Sequence, residues 1–328
     1  MKKFNIGIIG AGWIAQQMAN TLNGTERATQ YAIASRSLEK AIEFKEKNGF
    51  EVAYGSYEEL VADDNIDLVY IATPHSHHYA HTKLALEHGK HVLCEKAFTA
   101  NAREAEELCR LAKEKGLFLA EAIWTRYMPL SKMVKQAINE GIIGKPATIS
   151  ATLSYNNWEK ERMYKPELCG GALLDLGVYV INFALMYFDA PIAKIVSDAD
   201  IQNGVDTACN ISIRFTDGCM ASLQSSNMCW DARRGIISGD KGYLIIDNVN
   251  NPHTAHIYSA DNKLIKVLET PTQITGYEYQ VFACQDAISK SLIEAPDMPH
   301  SETIRIMKLM DNLRKEWGVV YPNDKQML

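Results

Sequence analysis

The side chains best suited to chemistry lie in two segments of the sequence. In the first, Glu95 and Lys96 close the apolar run 91–94, which is typical of a buried strand. Ligands of open α/β sheets bind outside the carboxyl ends of the strands, where Lys96 could position a hydroxyl group and lower the pKa of a neighbouring acid. An ordinary ion pair at a strand end explains the same two residues equally well.

The second segment is the glycine-rich stretch 170–179. Asp175 and Tyr179 are four residues apart, so they share a face of a helix, and Asp175 would lie in the first turn, where the helix dipole favours a carboxylate. Gly177 costs about 1 kcal/mol relative to alanine in a helix interior, which indicates close packing against that face. The ordinary pKa of tyrosine, ~10, is too high for a base unless a cation such as Lys96 lowers it. A core tyrosine and a capping aspartate are the alternative.

A third segment predicts a nucleotide site. Gly10, Gly12 and Ala15 are spaced as in a dinucleotide-binding fingerprint, after a predicted strand and at the start of a predicted helix. Gly10 would permit the tight turn, Gly12 the approach of the backbone to a pyrophosphate, and Ala15 close packing of the helix on the strand. We therefore expect the cofactor to contact Gly10, Gly12, Trp13 and Ile14, with its phosphates at the positive end of the helix.

The end of the second predicted strand indicates which dinucleotide is bound. An NAD-selective site carries Asp or Glu roughly 20 residues past the glycines, whereas this chain has Ser35 and Arg36 there. Serine and arginine can bind a 2′-phosphate that an acid would repel, and Lys40 could add a second cation. These residues favour NADP(H) over NAD(H), with solvated surface charges as the alternative interpretation.

The pattern of predicted elements changes after Trp124. Up to that residue, apolar runs alternate with helical patterns, as in a Rossmann-type doubly wound parallel sheet. The rest is rich in short β-runs joined by Gly and Asp turns, with a strong helix at 172–188. We predict an α/β protein of two domains. Residues 1–124 would bind NADP, and residues 125–328 would form an α+β domain with a large, open, mostly antiparallel sheet.

Composition excludes several classes of protein. A formal net charge of −6 argues against a nucleic-acid partner, because such proteins carry a basic surplus. The start of the chain does not read as a signal peptide, and no run approaches the ~18 apolar residues of a membrane span. The seven cysteines are scattered, without a Cys-x-x-Cys pair, as suits free thiols in a reducing compartment. We expect a cytoplasmic protein with no membrane partner.

A histidine cluster at 75, 77, 78 and 81 suggests a metal site. His77 and His81 are four residues apart, which suits zinc on a helix, but no cysteine or carboxylate neighbour completes a ligand set. We therefore predict no metal, and we expect His78 to face the cofactor.

Several motifs together resemble the Gfo/Idh/MocA (glucose-fructose oxidoreductase-like) family. They are the glycine fingerprint, Ala72-Thr73-Pro74, the segment 89–96, and Gly170-Gly171 with Asp175 and Gly177. Within the family, the segments 121–127, 170–179 and 321–325 resemble the branch of dimeric dihydrodiol dehydrogenases and NADP-dependent D-xylose dehydrogenases. That branch has tyrosine at the position of Tyr179, where many members have histidine. The chain departs from the family at Ala97, where most members have proline.

The resemblance implies a dehydrogenase that transfers a hydride between the nicotinamide of NADP(H) and a hydroxyl-bearing carbon of a cyclic sugar or diol. Lys96 and Tyr179 would handle the proton, Asp175 would orient the substrate or the tyrosine, and Arg36 with Lys40 would hold the 2′-phosphate. It also implies a homodimer formed through the sheet of the second domain. Further cofactor contacts would come from Thr73, Pro74, His78, Glu95, Lys96, Trp124 and Arg126.

The candidate substrate contacts are Trp124, Trp158 and Arg162. Trp124 follows the last strand of the first domain, while Trp158 and Arg162 lie in a polar loop before Gly170. For Trp124, packing at a domain interface is an equally good explanation. Two other functions are compatible with the same fold: a non-catalytic NADP-binding sensor, and a reductase of an imine or biliverdin-like acceptor.

Overall fold

A computed structural model describes residues 3–325 of the 328-residue chain. Contacts between residues divide the chain into two compact units. The first consists of the chain up to Trp124 together with Gln273–Lys308, and the second of Thr125–Thr272 together with the chain from Leu309 onward. A segment near the end of the sequence therefore returns to the first unit.

A six-stranded parallel sheet forms the centre of the first unit. Its strands are β1 (Phe4–Ile9), β2 (Ala28–Ala34), β3 (Val52–Tyr54), β4 (Leu68–Ile71), β5 (His91–Glu95) and β6 (Leu119–Ala122), in the order β3-β2-β1-β4-β5-β6. The helices between them are α1 (Trp13–Asn23), α2 (Leu38–Asn48), α3 (Tyr57–Val61), α4 (His75–Glu87) and α5 (Ala102–Lys115). The strand order reverses between β1 and β4, which is where open α/β sheets bind their ligands. The predicted Rossmann-type sheet is confirmed.

Local signals in the sequence set the bounds of the helices around this edge. Ser37 and Asn101 precede α2 and α5 and accept hydrogen bonds from the amides of Lys40 and Glu104. Gly116 ends α5 with a positive φ of 64°. All four residues of β4 are buried, as expected for a strand covered on both faces.

An eight-stranded sheet forms the centre of the second unit. Its strands are β7 (Pro146–Ser154), β8 (Ile192–Gln202), β9 (Val205–Phe215), β10 (Met220–Ser226), β11 (Gly235–Gly239), β12 (Gly242–Ile246), β13 (Thr254–Ser259) and β14 (Leu264–Glu269), in the order β14-β13-β12-β11-β7-β10-β9-β8. Neighbouring strands are antiparallel except β7 and β10, which are parallel. The predicted mostly antiparallel sheet is confirmed.

The remaining helices complete both units. They are α6 (Pro129–Asn139), α7 (Glu161–Tyr164), α8 (Val178–Tyr187), α9 (Glu278–Ser289), α10 (His300–Trp317) and α11 (Pro322–Lys325). Helix α9 belongs to the first unit, and α10 begins in the first unit and ends in the second. Helix α8 lies against β7 and β10, and every residue of α8 is buried.

The buried helical stretch Pro166–Tyr187 corrects one expectation from the sequence. Its mean hydropathy of 1.7 makes it long and apolar enough to cross a membrane on length and composition. However, 94% of its apolar window is buried inside the protein, as in the core helix of a soluble protein, which passes the same test. The stretch is therefore weak evidence for a membrane span.

Six elements lie where no helix or strand was expected: β3, α3, α7, β13, β14 and α11. Strand β3 has three residues and α3 has five, which is too short for a hydrophobic pattern to repeat. Strands β13 and β14 continue the sheet beyond β12. Leu264 and Ile265, which point to opposite faces of β14, are 54% and 51% exposed, so the strand does not alternate between buried and polar positions.

A buried charge cluster joins α10 to the end of the described chain. The Arg314 guanidinium bonds both carboxylate oxygens of Asp324 (2.8 and 3.3 Å) and one of Asp311 (2.8 Å), and its side chain is only 4% exposed. It also lies over the ring of Tyr321, 4.5 Å from the ring centroid. The Tyr321 hydroxyl in turn donates to the carbonyl of Gly170 (2.5 Å).

We expect Arg314→Ala to lower the free energy of unfolding by ~3–5 kcal/mol, because it leaves partly buried carboxylates without their cation. Urea denaturation followed by circular dichroism measures the change. The matched control is Arg110→Ala, which removes an exposed pair with Glu114 in α5 and should change stability by only ~0.3–0.5 kcal/mol. Equal losses in the two variants would contradict the assigned role of the cluster.

Candidate active site

The loop between β1 and α1 has the shape of a phosphate cradle. Gly10 adopts φ +100°, and its amide donates to the Ala34 carbonyl (3.0 Å). A Cβ at Gly10 would lie 2.9 Å from the Ala72 carbonyl oxygen, so only glycine fits between the ends of β1 and β4. This is the tight turn that the sequence predicts.

The first turn of α1 leaves room for a ligand. Gly12 precedes the helix and has no side chain that could cap the helix amides, and a Cβ there would meet no described atom within 4 Å. Ala15 is fully buried against the sheet, Ile14 is half-buried, and Trp13 is 71% exposed. Open space beside the positive end of a helix fits the diphosphate of a dinucleotide.

The end of β2 presents the two residues on which the prediction of NADP rests. The Ser35 amide donates to the Tyr54 carbonyl (3.2 Å), and the Ser35 hydroxyl accepts from the Ser37 amide (3.4 Å). Arg36 and Lys40 are both exposed. These side chains can therefore reach a ligand beyond the carboxyl end of β2.

The predicted histidine cluster lies beside Arg36. The rings of His77 and His81 are stacked with centroids 5.7 Å apart, and the ring of Tyr57 meets His81 edge-on at 4.6 Å. Burial, and then the charge of Arg36, lower the pKa of His77. Burial is also the largest cause that lowers the pKa of His81 to about 4, so both rings are neutral at pH 7. Within residues 3–325, no group of three or more His, Cys, Asp or Glu side chains could hold a metal.

His78 lies inside the first unit rather than at its surface. It is 1% exposed, with Nδ1 2.9 Å from the Ala97 carbonyl oxygen and Nε2 2.7 Å from that of Thr73. Burial lowers the pKa of His78 to about 4, so the ring is neutral at pH 7 and its single N–H can bond one carbonyl at a time. His78 therefore supports these two loops, and its contact with the cofactor stays a prediction. Thr73 is half-buried and Pro74 is exposed beside it.

Glu95 and Lys96 lie at the carboxyl end of β5, as predicted. The Glu95 carboxylate is 5% exposed and accepts hydrogen bonds from the Tyr70 hydroxyl and from the Lys96 amide (3.2 Å). The Lys96 side chain is half-buried, and the Lys96–Ala97 peptide bond is cis. Burial raises the pKa of the neighbouring Cys94 thiol, which makes it a buried apolar group rather than a nucleophile.

Two residues near the end of β6 have partners that the sequence did not indicate. The Trp124 ring stacks on Tyr277, with centroids 4.0 Å apart and an interplanar angle of 5°. Tyr277 belongs to the segment that returns to the first unit, so no local pattern signals the pair. In the second unit, Arg126 is half-buried and its Nε donates to the Asn182 side chain (2.6 Å).

The segment with Asp175 and Tyr179 forms one buried helical stretch in the second unit. It begins with a π-helical turn, Leu173–Gly177, and continues as α8. Single π turns inside helices occur frequently at functional sites. A Cβ at Gly177 would lie 3.3 Å from the Ser225 hydroxyl, which accounts for the close packing predicted there. Asp175 is 5% and Tyr179 6% exposed.

Asp175 pairs with another predicted site residue. Arg162 on α7 bonds the two carboxylate oxygens of Asp175 at 2.9 and 3.4 Å. The Arg162 side chain is 41% exposed whereas that of Asp175 is 8% exposed, so the pair presents its cation to solvent. Nearby in sequence, Trp158 is half-buried and meets Tyr164 edge-on at 6.0 Å.

Family models match both parts of the chain. The model of the oxidoreductase family with the NAD-binding Rossmann fold matches residues 4–122, and that of the Gfo/Idh/MocA C-terminal domain matches residues 131–245. Trans-1,2-dihydrobenzene-1,2-diol dehydrogenase of Mus musculus is 31% identical, over 98% of each chain. This protein belongs to the Gfo/Idh/MocA family. The resemblance seen in its motifs is thereby confirmed.

Two further proteins are similar to this chain over almost their full length. The scyllo-inositol 2-dehydrogenase (NADP(+)) IolU of Bacillus subtilis (strain 168) is 31% identical, over 97% of this chain and 98% of that protein. The solved structure of KijD10, a 3-ketoreductase from Actinomadura kijaniata in complex with NADP and TDP-benzene, has a TM-score of 0.86 and is 26% identical. The match covers 96% of this chain and 98% of the ketoreductase chain. The protein is therefore an oxidoreductase of this family.

The structure brings together some of the predicted site residues of this oxidoreductase within each unit. In the first unit, three groups of these residues lie at the carboxyl ends of the strands. The group after β1 is Gly10, Gly12, Trp13 and Ile14, and the group after β2 is Ser35, Arg36 and Lys40. The third, at the ends of β4 and β5, is Thr73, Pro74, Glu95 and Lys96. In the second unit, Asp175 joins Arg162. His78 is withdrawn into the interior, and Tyr277 and Asn182 are the partners that sequence reasoning missed.

Proposed function

We propose that this protein is an NADP(H)-dependent dehydrogenase acting on a hydroxyl-bearing carbon of a cyclic sugar or diol. One observation carries the proposal: an open phosphate cradle lies at the carboxyl edge of the parallel sheet, where Arg36 is exposed. The substrate class is supported by the relatives. Dihydrobenzenediol and scyllo-inositol, which their names contain, are both rings that bear hydroxyl groups.

The residues at the end of β2 favour the phosphorylated cofactor. Ser35 offers a hydroxyl and Arg36 a planar cation, which together suit a phosphate monoester. Lys40, exposed on the first turn of α2, adds positive charge. The NADP bound to the ketoreductase and the NADP(+) in the name of the inositol dehydrogenase agree with this preference.

Tyr179 is the proposed proton-transfer group, and Lys96 supports it. The nicotinamide of bound NADP(H) supplies the hydride acceptor or donor. Tyr179 Oη takes the proton of the substrate hydroxyl in oxidation and returns it in reduction, while the ammonium of Lys96 stabilises the charged form of the phenol. Solved forms of the ketoreductase include a lysine-to-alanine and a tyrosine-to-phenylalanine variant, which points to the same two residue types.

Asp175 and Arg162 form the proposed substrate-binding pair. The carboxylate of Asp175 is fixed by two hydrogen bonds, so it keeps one orientation during the reaction. The partly exposed guanidinium would donate hydrogen bonds to substrate hydroxyls. Trp158, which is half-buried, would offer apolar ring surface to the face of a sugar or a diol. The stacking of Trp124 on Tyr277 covers one face of its ring, so only its edge or its other face could contact substrate.

Assembly and location complete the proposal. We infer a cytoplasmic homodimer formed through the open face of the eight-stranded sheet. That face holds an open groove whose accessible surface is mostly apolar, with Val196 at 56% exposure. Its lining also includes Ile211, Leu223, Ser150, Thr152, Ser212 and Gln224. The domain roles follow the family: residues 1–124 would bind NADP, and residues 125–328 would bind substrate and the second copy.

The test is an activity screen of the purified protein with NADP+ and with NAD+. Aldopyranoses, inositols and cyclic diols are offered in turn, and the appearance of reduced cofactor is followed by absorbance. We expect turnover on at least one ring hydroxyl, and faster turnover with NADP+. Binding of NADPH without turnover on any of these compounds would refute the dehydrogenase and favour a sensor. Turnover confined to imine acceptors would favour the imine reductase.

A further inference from the structure

We propose that Asp206 is a positioning residue that holds the start of the helical stretch carrying Asp175 and Tyr179. The inference rests on the proposed function, because that function gives Tyr179 the proton-transfer role. It concerns residues of the second unit alone.

Asp206 caps this helix from a distant strand. It lies at the start of β9, is 0% exposed, and its Oδ2 accepts a hydrogen bond of 2.6 Å from the amide of Leu173. Leu173 is the first residue of the π turn, and Ala172 before it has no side chain that can cap. The first amides of a helix lack partners within the helix, so this carboxylate satisfies a group that would otherwise be buried without one.

Two glycines allow this approach. Gly171 has φ +118°, and a Cβ there would collide with Oδ1 of Asp206. A Cβ at Gly170 would lie 2.6 Å from the Met163 carbonyl oxygen. Gly171 therefore lets the carboxylate of Asp206 reach the start of the helix, and Gly170 lets the same loop pack against the backbone of Met163. Tyr321, whose hydroxyl bonds the Gly170 carbonyl, holds the same loop from its other side.

Asp206 is ionised at neutral pH although it is fully buried. Burial raises its pKa from 3.8 to about 6, although the amides of Leu173 and Ala172 and the charge of Arg314 act in the opposite direction. Because the folded state binds this proton more tightly, the contribution of Asp206 to stability falls as the pH rises from about 4 to about 6. At neutral pH the carboxylate is ionised at some loss of stability, and buried charges of this kind are candidates for a functional role.

The other titratable groups around Asp206 have defined partners or are remote from the contact. Arg314 faces it from α10 and is itself bonded to Asp311 and Asp324. The pKa of Tyr321 is raised by burial and by Asp206, and that of Cys209 on β9 likewise, so both are neutral near pH 6. On β8, the exposed Asp200 is bonded to the Thr207 hydroxyl.

The test compares Asp206→Ala with Asp206→Asn. The alanine variant removes both the acceptor and the charge, and we expect kcat to fall by ~10²-fold with an unchanged KM for NADP+, because a small displacement of a reacting group costs rate rather than cofactor binding. The asparagine variant keeps an oxygen for the Leu173 amide and should recover most of the loss.

Hydrogen exchange separates this proposal from the proposed function. In the protein without cofactor, the amides of residues 173–180 should exchange faster in Asp206→Ala than in wild type. The control Asp200→Asn, on the neighbouring strand, should change neither exchange nor kcat. If the wild type turns over no substrate, the proposed dehydrogenase fails while the exchange measurement still tests Asp206.

Three results would overturn the assignment of Asp206. The first is wild-type exchange of residues 173–180 in the alanine variant, and the second is wild-type kcat in that variant. The third is a loss of kcat in Asp206→Asn together with a lower midpoint of thermal unfolding. Removal of a buried charge should leave that midpoint unchanged or raise it.

Discussion

Tyr179→Phe is expected to lower kcat by ~10²–10⁴-fold, the usual contribution of a general acid or base. The substitution removes only the hydroxyl, and the ring keeps its place in a buried helix where Tyr179 is 6% exposed. Binding of NADPH should therefore be unchanged. Steady-state kinetics measures the first effect, and titration of cofactor fluorescence measures the second.

Lys96→Met tests the supporting role of the ammonium. We expect a similar loss of kcat at neutral pH, with partial recovery at higher pH, because the tyrosine would then lose its proton without the cation that is proposed to stabilise its charged form. The double variant should be little worse than the poorer single variant, since groups that act on one proton as a unit are not additive. Full pH profiles of kcat/KM for the three variants give the comparison.

Tyr187→Phe is the matched control for the tyrosine. Tyr187 is in the same helix α8, is 7% exposed, and its hydroxyl interacts with Ser131. The same chemical change at this position should leave kcat near the wild-type value. Near-normal turnover in both Lys96→Met and Tyr179→Phe, with NADPH still bound, would refute the proposed mechanism.

The elements around the nucleotide loop could be predicted because their signals are local. Gly10 and Gly12 occur between an apolar run and a helical pattern, and a short segment contains everything needed to place them. The same holds for α5, which begins after the capping residue Asn101 and ends at Gly116. The position of Glu95 at a buried strand end follows from the same kind of reasoning.

The contacts that define the second unit could not be predicted, because they join distant parts of the chain. Asp206 caps a helix that begins more than thirty residues earlier, and Tyr321 reaches the Gly170 carbonyl across about half the chain. Neither contact leaves a periodic pattern in the sequence. A pattern of apolar residues at the α-helical period cannot indicate a π turn, so the turn Leu173–Gly177 was not predicted.

The return of Gln273–Lys308 to the first unit has the same cause. Only its helices are visible in the sequence, whereas the side chains that attach it act one by one. Arg27 bonds Gln285 and Asp286 on α9 (3.1 and 2.5 Å), and Tyr277 covers Trp124. A single boundary near residue 125 is the simplest inference from composition, since a change of pattern marks where a chain leaves a domain and not where it comes back.

Arg36→Ala is expected to raise the KM for NADP+ by ~10–100-fold and to leave that for NAD+ almost unchanged. A hydrogen bond to a charged group contributes ~1.5–3 kcal/mol, and only NADP carries the 2′-phosphate that would make it. Lys40→Ala should have a smaller effect, because an exposed ammonium is a flexible point charge without the planar fork of arginine. The measurement is kcat/KM for both cofactors at two salt concentrations, since the effect of an exposed charge weakens with salt.

A second substitution should reverse the preference for NADP+ over NAD+. Ser35→Asp in the Arg36→Ala background supplies the acid that NAD-selective sites use for the ribose 2′-hydroxyl, so we expect NAD+ to become the better cofactor. Arg110→Ala, an exposed arginine of α5 paired with Glu114, is the matched control and should not alter the ratio. If Arg36→Ala keeps the wild-type ratio of kcat/KM for NADP+ over NAD+, the 2′-phosphate is bound elsewhere or not at all. In that case the exposed arginine is an ordinary surface charge.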